Sequence, residues 1–61
     1  MQFYTPSQIA NILKIDILTV YNYIRKGKLE AVRLGRHYRI SQEDFEQFLK
    51  ASKARKYAQT S

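Results

Sequence analysis

Three observations predict a mainly α domain with a small β-hairpin, its elements in the order α-α-β-β-α. Residues 5–13 and 16–26 each open on a capping residue and continue with apolar residues at helical spacing, only a few positions apart. Two short alternating stretches then flank Gly35, and a third helical pattern follows Ser41. The chain has 61 residues, 44% of them hydrophobic and 26% charged, a composition that favours a folded domain over a disordered segment. A chain this short buries only about 60% of the surface its unfolded form exposes, so one modest core is expected.

The first helix starts at Thr5-Pro6-Ser7-Gln8, where Thr5 caps, Pro6 suits the first helical position and Gln8 completes a capping box. Tyr4 is placed to staple onto Ile9, and Ile9, Ile12 and Leu13 form the expected buried stripe up to Lys14-Ile15. Asp16 caps the second helix, Ile17 to Lys26, with Ile15 and Val20 as its staple pair and Gly27 as its stop. With Val20 at zero on a helical wheel, Ile24, Ile17 and Tyr23 lie within about 60° of it, while Leu18, Asn22, Arg25 and Lys26 cluster near the opposite side. One face is core; the other is polar and basic, with a single leucine.

Ala31 to Leu34 and Tyr38 to Ile40 alternate as strands around Gly35-Arg36-His37. A two-residue turn would pair Val32 with Arg39 and mix the faces. A three-residue loop instead pairs Leu34 with Tyr38 and Val32 with Ile40, and it is the expected register. It sets Arg33 opposite Arg39, a like-charge pair that costs roughly 0.2–1 kcal/mol without an anion between them. Ser41 caps the third helix, with Glu43 and Asp44 in its first turn and Phe45, Phe48 and Leu49 on one face. This helix is expected to end near Lys53 to Lys56, giving a domain over 1–56 and a frayed tail over 57–61.

Charge points to the partner. Residues 14–39 hold seven bases against Asp16 and Glu30, most of the net charge of +6. Such a basic stretch suits a polyanion. No cysteine and one histidine leave zinc fingers, disulfides and cysteine nucleophiles without their residues. No metal or other cofactor is expected, and with the carboxylates mostly at the start of the last helix no catalytic constellation is expected either. No apolar run reaches membrane-spanning length, and Met1 to Pro6 lacks a signal-peptide pattern, so the expectation is a cytoplasmic protein with no membrane partner.

Two short helices joined by a tight turn, the second with a polar outer face, match a helix-turn-helix whose second helix enters the DNA major groove, and the basic hairpin after it matches a wing. On the second helix, Asn22 suits adenine, Arg25 suits guanine and Leu18 suits a thymine methyl. Thr19, Tyr21 and Lys26, at the edges of that face, suit phosphates. In the wing, Arg33, Arg36 and Arg39 are the candidates, Arg36 at the tip for the minor groove or backbone. His37 is counted with them and expected in the turn. Tyr23, Tyr38, Phe45 and Phe48 sit at core phases. That leaves too few exposed rings for a platform that stacks single-stranded bases.

The run Tyr4-Thr5, Ile9 to Leu13, Ile15, Thr19-Val20-Tyr21, Tyr23-Ile24-Arg25, Gly27-Lys28-Leu29, Ala31 to Arg36 and Tyr38-Arg39-Ile40 resembles the excisionase-type, MerR-like winged helix-turn-helix family over about residues 3–50. The resemblance implies a DNA-binding module of a phage, plasmid or transposon, acting as an excisionase that directs a recombinase, or as a small transcription regulator. It also implies the second helix in the major groove and the wing on the adjacent groove or backbone. Lys14 stands where the family often has Gly, Glu30 where Pro is common and Leu18 where a polar residue is usual. Double-stranded DNA is the expected partner, with a recombinase or another DNA-bound protein and side-by-side self-association on DNA as further partners. The competing class is a protein-interaction module whose basic charge is generic.

Overall fold

The capping box at Thr5 closes in the computed structural model. The Gln8 N–H donates to Thr5 Oγ1 at 3.0 Å and the Thr5 N–H donates to Gln8 Oε1 at 2.9 Å, which starts α1 (Pro6–Leu13). Lys14 then takes the left-handed conformation at φ 58°. The Ile15 N–H reaches Ala10 O at 3.0 Å and the Lys14 N–H reaches Asn11 O at 3.4 Å, the paired bonds of a Schellman ending. Asp16 caps α2 (Ile17–Arg25) through a long 3.4 Å bond from the Leu18 N–H. The same ending closes α2 with Gly27 at φ 77°: the Gly27 N–H donates to Ile24 O and the Lys28 N–H to Tyr23 O. Both helices therefore stop within one residue, and a turn of three residues separates them.

Three strands form one antiparallel sheet in the order β1 (Phe3–Tyr4), β3 (His37–Ser41), β2 (Val32–Leu34). Ser41 Oγ then accepts from the Asp44 N–H at 3.0 Å and starts α3 (Gln42–Thr60). The structure describes residues 2–60, with side chains over 2–52. The expected helix end near Lys53 to Lys56 and the fraying of 57–61 fall outside the fully described part. The order α-α-β-β-α is found with one addition, the strand β1, which two residues are too few to announce by alternation. Its pairs Phe3 with Ser41 and Tyr4 with Ile40 tie the start of the chain to the strand that leads into α3. The architecture is compatible with a winged helix-turn-helix.

The core consists of Ile9, Ala10, Val20, Leu29, Ile40 and Phe45, with Tyr4, Leu13, Ile15, Ile17, Tyr23, Ile24, Ala31 and Phe48 packed around it. The Tyr4 and Phe45 rings meet edge to face at 5.4 Å and those of Tyr23 and Phe48 at 5.2 Å, so α3 docks on both β1 and α2. Ile12 is 52% exposed, against expectation. The buried stripe of α1 runs instead through Pro6, Ile9 and Ala10 with Leu13 half-buried, so that Ala10 takes the place expected of Ile12. Leu49 likewise stands at the exposed edge of its face. Leu29, 1% exposed, lies in a loop with no periodicity to announce it.

The hairpin register differs from the expected one. Val32 faces Arg39, Arg33 faces Tyr38 and Leu34 faces His37, which leaves Gly35-Arg36 as a two-residue turn. Gly35 has φ 66° and Arg36 has no positive φ, the pattern of a type II′ turn, whose twist matches that of its strands. A slip of one residue turns β2 over. Val32 and Leu34 face outward and Arg33 faces the helices, while Leu29 and Ala31 supply the core contact that Val32 was expected to make. The Arg33–Arg39 pairing does not occur. His37 is the first residue of β3 rather than a turn residue.

Two outcomes follow for urea unfolding monitored by circular dichroism. Lys14→Gly should stabilise by about 1 kcal/mol, because glycine adopts the left-handed position without the Cβ penalty. Leu29→Ala should cost about 2–5 kcal/mol, whereas Leu34→Ala should stay within about 0.5 kcal/mol. An equal loss at Leu34 would restore the three-residue register.

Candidate nucleic-acid interface

The outward face of α2 is as the helical wheel set it. Leu18, Tyr21, Asn22, Arg25 and Lys26 are exposed, Thr19 is half-buried at the edge, and Val20 on the opposite side is fully buried. Leu18 is 67% exposed, an apolar side chain standing among polar ones. Arg25 Nη2 donates to Asn22 Oδ1 at 2.6 Å. These two candidate base readers therefore form one unit before any ligand arrives. Asn22 Oδ1 keeps a second lone pair, its amide keeps both donors, and Arg25 keeps its remaining N–H groups. The i, i+3 spacing of the two residues makes this contact legible in the sequence.

The hairpin brings its basic side chains to three different places. Residues opposite one another across an antiparallel pair share a face. Arg33 therefore lies with Tyr38 on the α2 side of the sheet, its guanidinium carbon 5.8 Å from the Tyr38 ring centre. Arg33 Nε also donates to Gly35 O at 3.0 Å, bracing the turn. Arg36 is exposed at the tip. Arg39 lies on the outer face, half-buried beside Phe3, Val32 and Leu34, with Nη1 donating to Tyr38 O at 2.9 Å. His37 is exposed on that same outer face, opposite Leu34.

Tyr38 was expected in the core and is not there. It shares its sheet face with Ile40, but two residues toward the tip the strand has run past the core and come level with α2. There the Tyr38 ring meets Tyr21 at 6.0 Å between centres. Arg33, Tyr38 and Tyr21 thus form a stack that joins the hairpin to α2 outside the core. Leu18, Tyr21, Asn22, Arg25 and Tyr38 line the groove between the two elements, a cavity of about 430 Å³. Strand parity put Tyr38 on the right face; only the packed position of α2 decides what it meets.

The profile of the helix-turn-helix domain family matches residues 3–53. The chain belongs to the helix-turn-helix domain family. Among its relatives, the Bacillus subtilis protein YvgK, of uncharacterized function, is 47% identical over 45 residues, which is 74% of this chain and 15% of that protein. Two Mycobacterium tuberculosis proteins, named "Putative DNA-binding protein" MT0521 and Rv0500A, are each 31% identical over 51 residues, or 84% of this chain and 65% of theirs. The chain thus spans less than two thirds of the length of each of these relatives. No solved structure matches it significantly. Among the described residues no helix is long and apolar enough to cross a membrane, and no group of three or more His, Cys, Asp or Glu could hold a metal ion.

The aromatic link generates a testable outcome. Tyr38→Ala should speed amide hydrogen exchange in residues 32–39 while leaving α1 and the buried turns of α2 protected. A Tyr21/Tyr38 double-mutant cycle on unfolding should give a coupling of about 0.5–1.5 kcal/mol. Zero coupling would mean that the two elements are joined through the core alone.

Proposed function

We propose that the domain binds double-stranded DNA sequence-specifically, with α2 in the major groove and the hairpin on the adjacent groove or backbone, and that it performs no chemistry of its own. The observation that carries this reading is the meeting, in a helix-turn-helix domain, of a polar α2 face with a hairpin whose Arg33 and Arg36 stand on the α2 side and at the tip. Asn22 and Arg25 read bases as a pair, and Leu18 contacts a base edge. Thr19, Tyr21 and Lys26 hold the backbone, as do Arg36 and Arg33, with Arg39 and His37 contributing less from the outer face.

The output we propose is that of an excisionase or recombination directionality factor, recruiting a recombinase beside its site, with copies seated side by side on DNA. A small transcription regulator is the alternative output. Either would act in the cytoplasm, on a bacterial, phage or plasmid genome. A second class of reading has its own support: Phe3, Val32 and Leu34 stay 45–58% exposed on the outer face of the sheet, as a protein-binding surface would require.

Fluorescence anisotropy at several salt concentrations tests the proposal, comparing duplexes selected from a random library with an unselected duplex of equal length. Selected duplexes should bind roughly a thousandfold more tightly or better. Uniform, steeply salt-dependent binding would reduce the +6 charge to generic attraction and favour the protein-binding reading. Replacing Arg33, Arg36 and Arg39 together by Ala should abolish DNA binding with the fold intact, Arg39→Ala alone having the smallest effect. Lys26→Ala should weaken all sequences alike and lower the salt slope by about one. Asn22→Ala should relax sequence preference, and because Asn22 holds Arg25, the Asn22/Arg25 double variant should lose less than the sum of the single losses.

A further inference from the structure

The groove between α2 and the hairpin has two kinds of wall. Leu18 and Tyr21 of α2 and Tyr38 of the hairpin form an apolar cup, while Asn22 and Arg25 form a hydrogen-bonding rim on the following turns of the same helix. Leu18, Asn22 and Arg25 stand at i, i+4 and i+7, one stripe along α2. Leu18 is the most exposed of the large hydrophobic side chains in the described part, yet it sits inside the basic surface rather than on the bare outer face of the sheet. Its neighbours explain the placement. The Tyr21 and Tyr38 rings, 6.0 Å apart and tilted by 55°, present aromatic surface beside it, and Arg33 behind Tyr38 holds that ring in place.

The tyrosine hydroxyls can donate to a phosphate, but the Leu18 side chain and the two ring faces form an uncharged apolar wall. What suits it is a small apolar group carried on the edge of a base, at a distance where Asn22 and Arg25 reach the polar edges of neighbouring bases. The major groove displays one such group, the methyl at C5 of a pyrimidine. We infer that the Leu18–Tyr21–Tyr38 cup is a receptor for the C5-methyl group of a pyrimidine, and that this contact is a determinant of sequence preference. Thymine and 5-methylcytosine share that group and differ at C4. Along a helix that follows the groove, four residues advance about 6 Å, so the methylated pyrimidine lies about two base pairs from the base read by Asn22. The inference rests on the DNA-binding reading above and goes beyond it by naming Tyr21 and the hairpin residue Tyr38 as the rest of the methyl receptor and by extending its ligand from thymine to 5-methylcytosine.

The test uses the duplex selected from the random library as the probe. Each thymine is replaced in turn by deoxyuridine, which deletes the methyl and leaves every hydrogen-bonding group in place. At one thymine the 61-residue chain should lose about fourfold in affinity, the worth of one buried methyl group. Leu18→Ala, a change at an exposed position that leaves the core intact, should make that ratio fall to near one; Tyr38→Leu should reduce it. In a second arm a C·G pair at that position is compared with 5-methyl-C·G, and the methyl should return about fourfold. Tighter binding of 5-methyl-C·G than of T·A would make methylated DNA the preferred source of the group; the reverse would make it thymine. A selected duplex that binds tightly but is indifferent to every deoxyuridine overturns the methyl receptor and leaves the DNA-binding reading standing. A ratio that survives in Leu18→Ala overturns it too. Selection that yields no preferred duplex overturns both.

Discussion

The register of the hairpin, set by Gly35 in a two-residue turn, is the constraint on which the candidate interface depends. Because side chains alternate along a strand, that one turn decides the facing of every residue of β2. It turns Arg33 toward α2, where it braces both the turn and the Tyr38 ring, and turns Val32 and Leu34 away. Beside Arg33, Tyr38, whose facing is fixed within β3 by the burial of Ile40, meets Tyr21, and a groove rather than a closed contact remains between hairpin and helix. With the three-residue loop, Arg33 would stand on the outer face and the aromatic stack would lose its cationic end.

β3 transmits that constraint to the rest of the molecule. Its last residue but one, Ile40, is fully buried and pairs with Tyr4 of β1, and its last residue, Ser41, caps α3. Five residues thus hold the start of the chain, the core, the hairpin and the last helix. In a domain too small for a large core, the buried centre is assembled from one or two residues of each helix, Ile40 of β3 and Leu29 of a loop. The two helix endings add rigidity at little cost in length. Each hands the chain over within one residue through a left-handed position, Lys14 after α1 and Gly27 after α2. At Lys14 a side chain occupies a conformation that glycine adopts more easily, so some stability is forgone there.

The polarity of β2 runs against the usual rule for a sheet with one covered face, in which apolar residues point in and charged ones out. Here Arg33 points toward the helices and Val32 and Leu34 point out. Inward placement of Arg33 makes sense beside the polar flank of α2, beyond the edge of the core, where it completes a surface instead of entering the interior. Outward placement of Val32 and Leu34, next to Phe3, leaves the molecule with two unlike faces: a basic, aromatic one toward α2 and, behind the sheet, one where these apolar side chains stand beside Arg39 and His37.

Much of this was legible in the residues. The capping box, the wheel of α2, the Gly27 stop and the Ser41 cap are local, because each depends on side chains within four positions of one another, and all of them stand in the structure. Membership of the helix-turn-helix family agrees with that reading. Three features depended on how segments pack against one another, and only the tertiary structure decided them. β1 exists because Ile40 and Ser41 are there to pair with. The hairpin register depends on what fills the core beneath it, and Leu29 and Ala31 removed the need for Val32 to face inward. Tyr38 obeys strand parity, yet its neighbour depends on how far α2 extends alongside the sheet. Helical periodicity and caps are properties of a segment, whereas register and groove are properties of how segments meet, and a single residue of slip changes the second without touching the first.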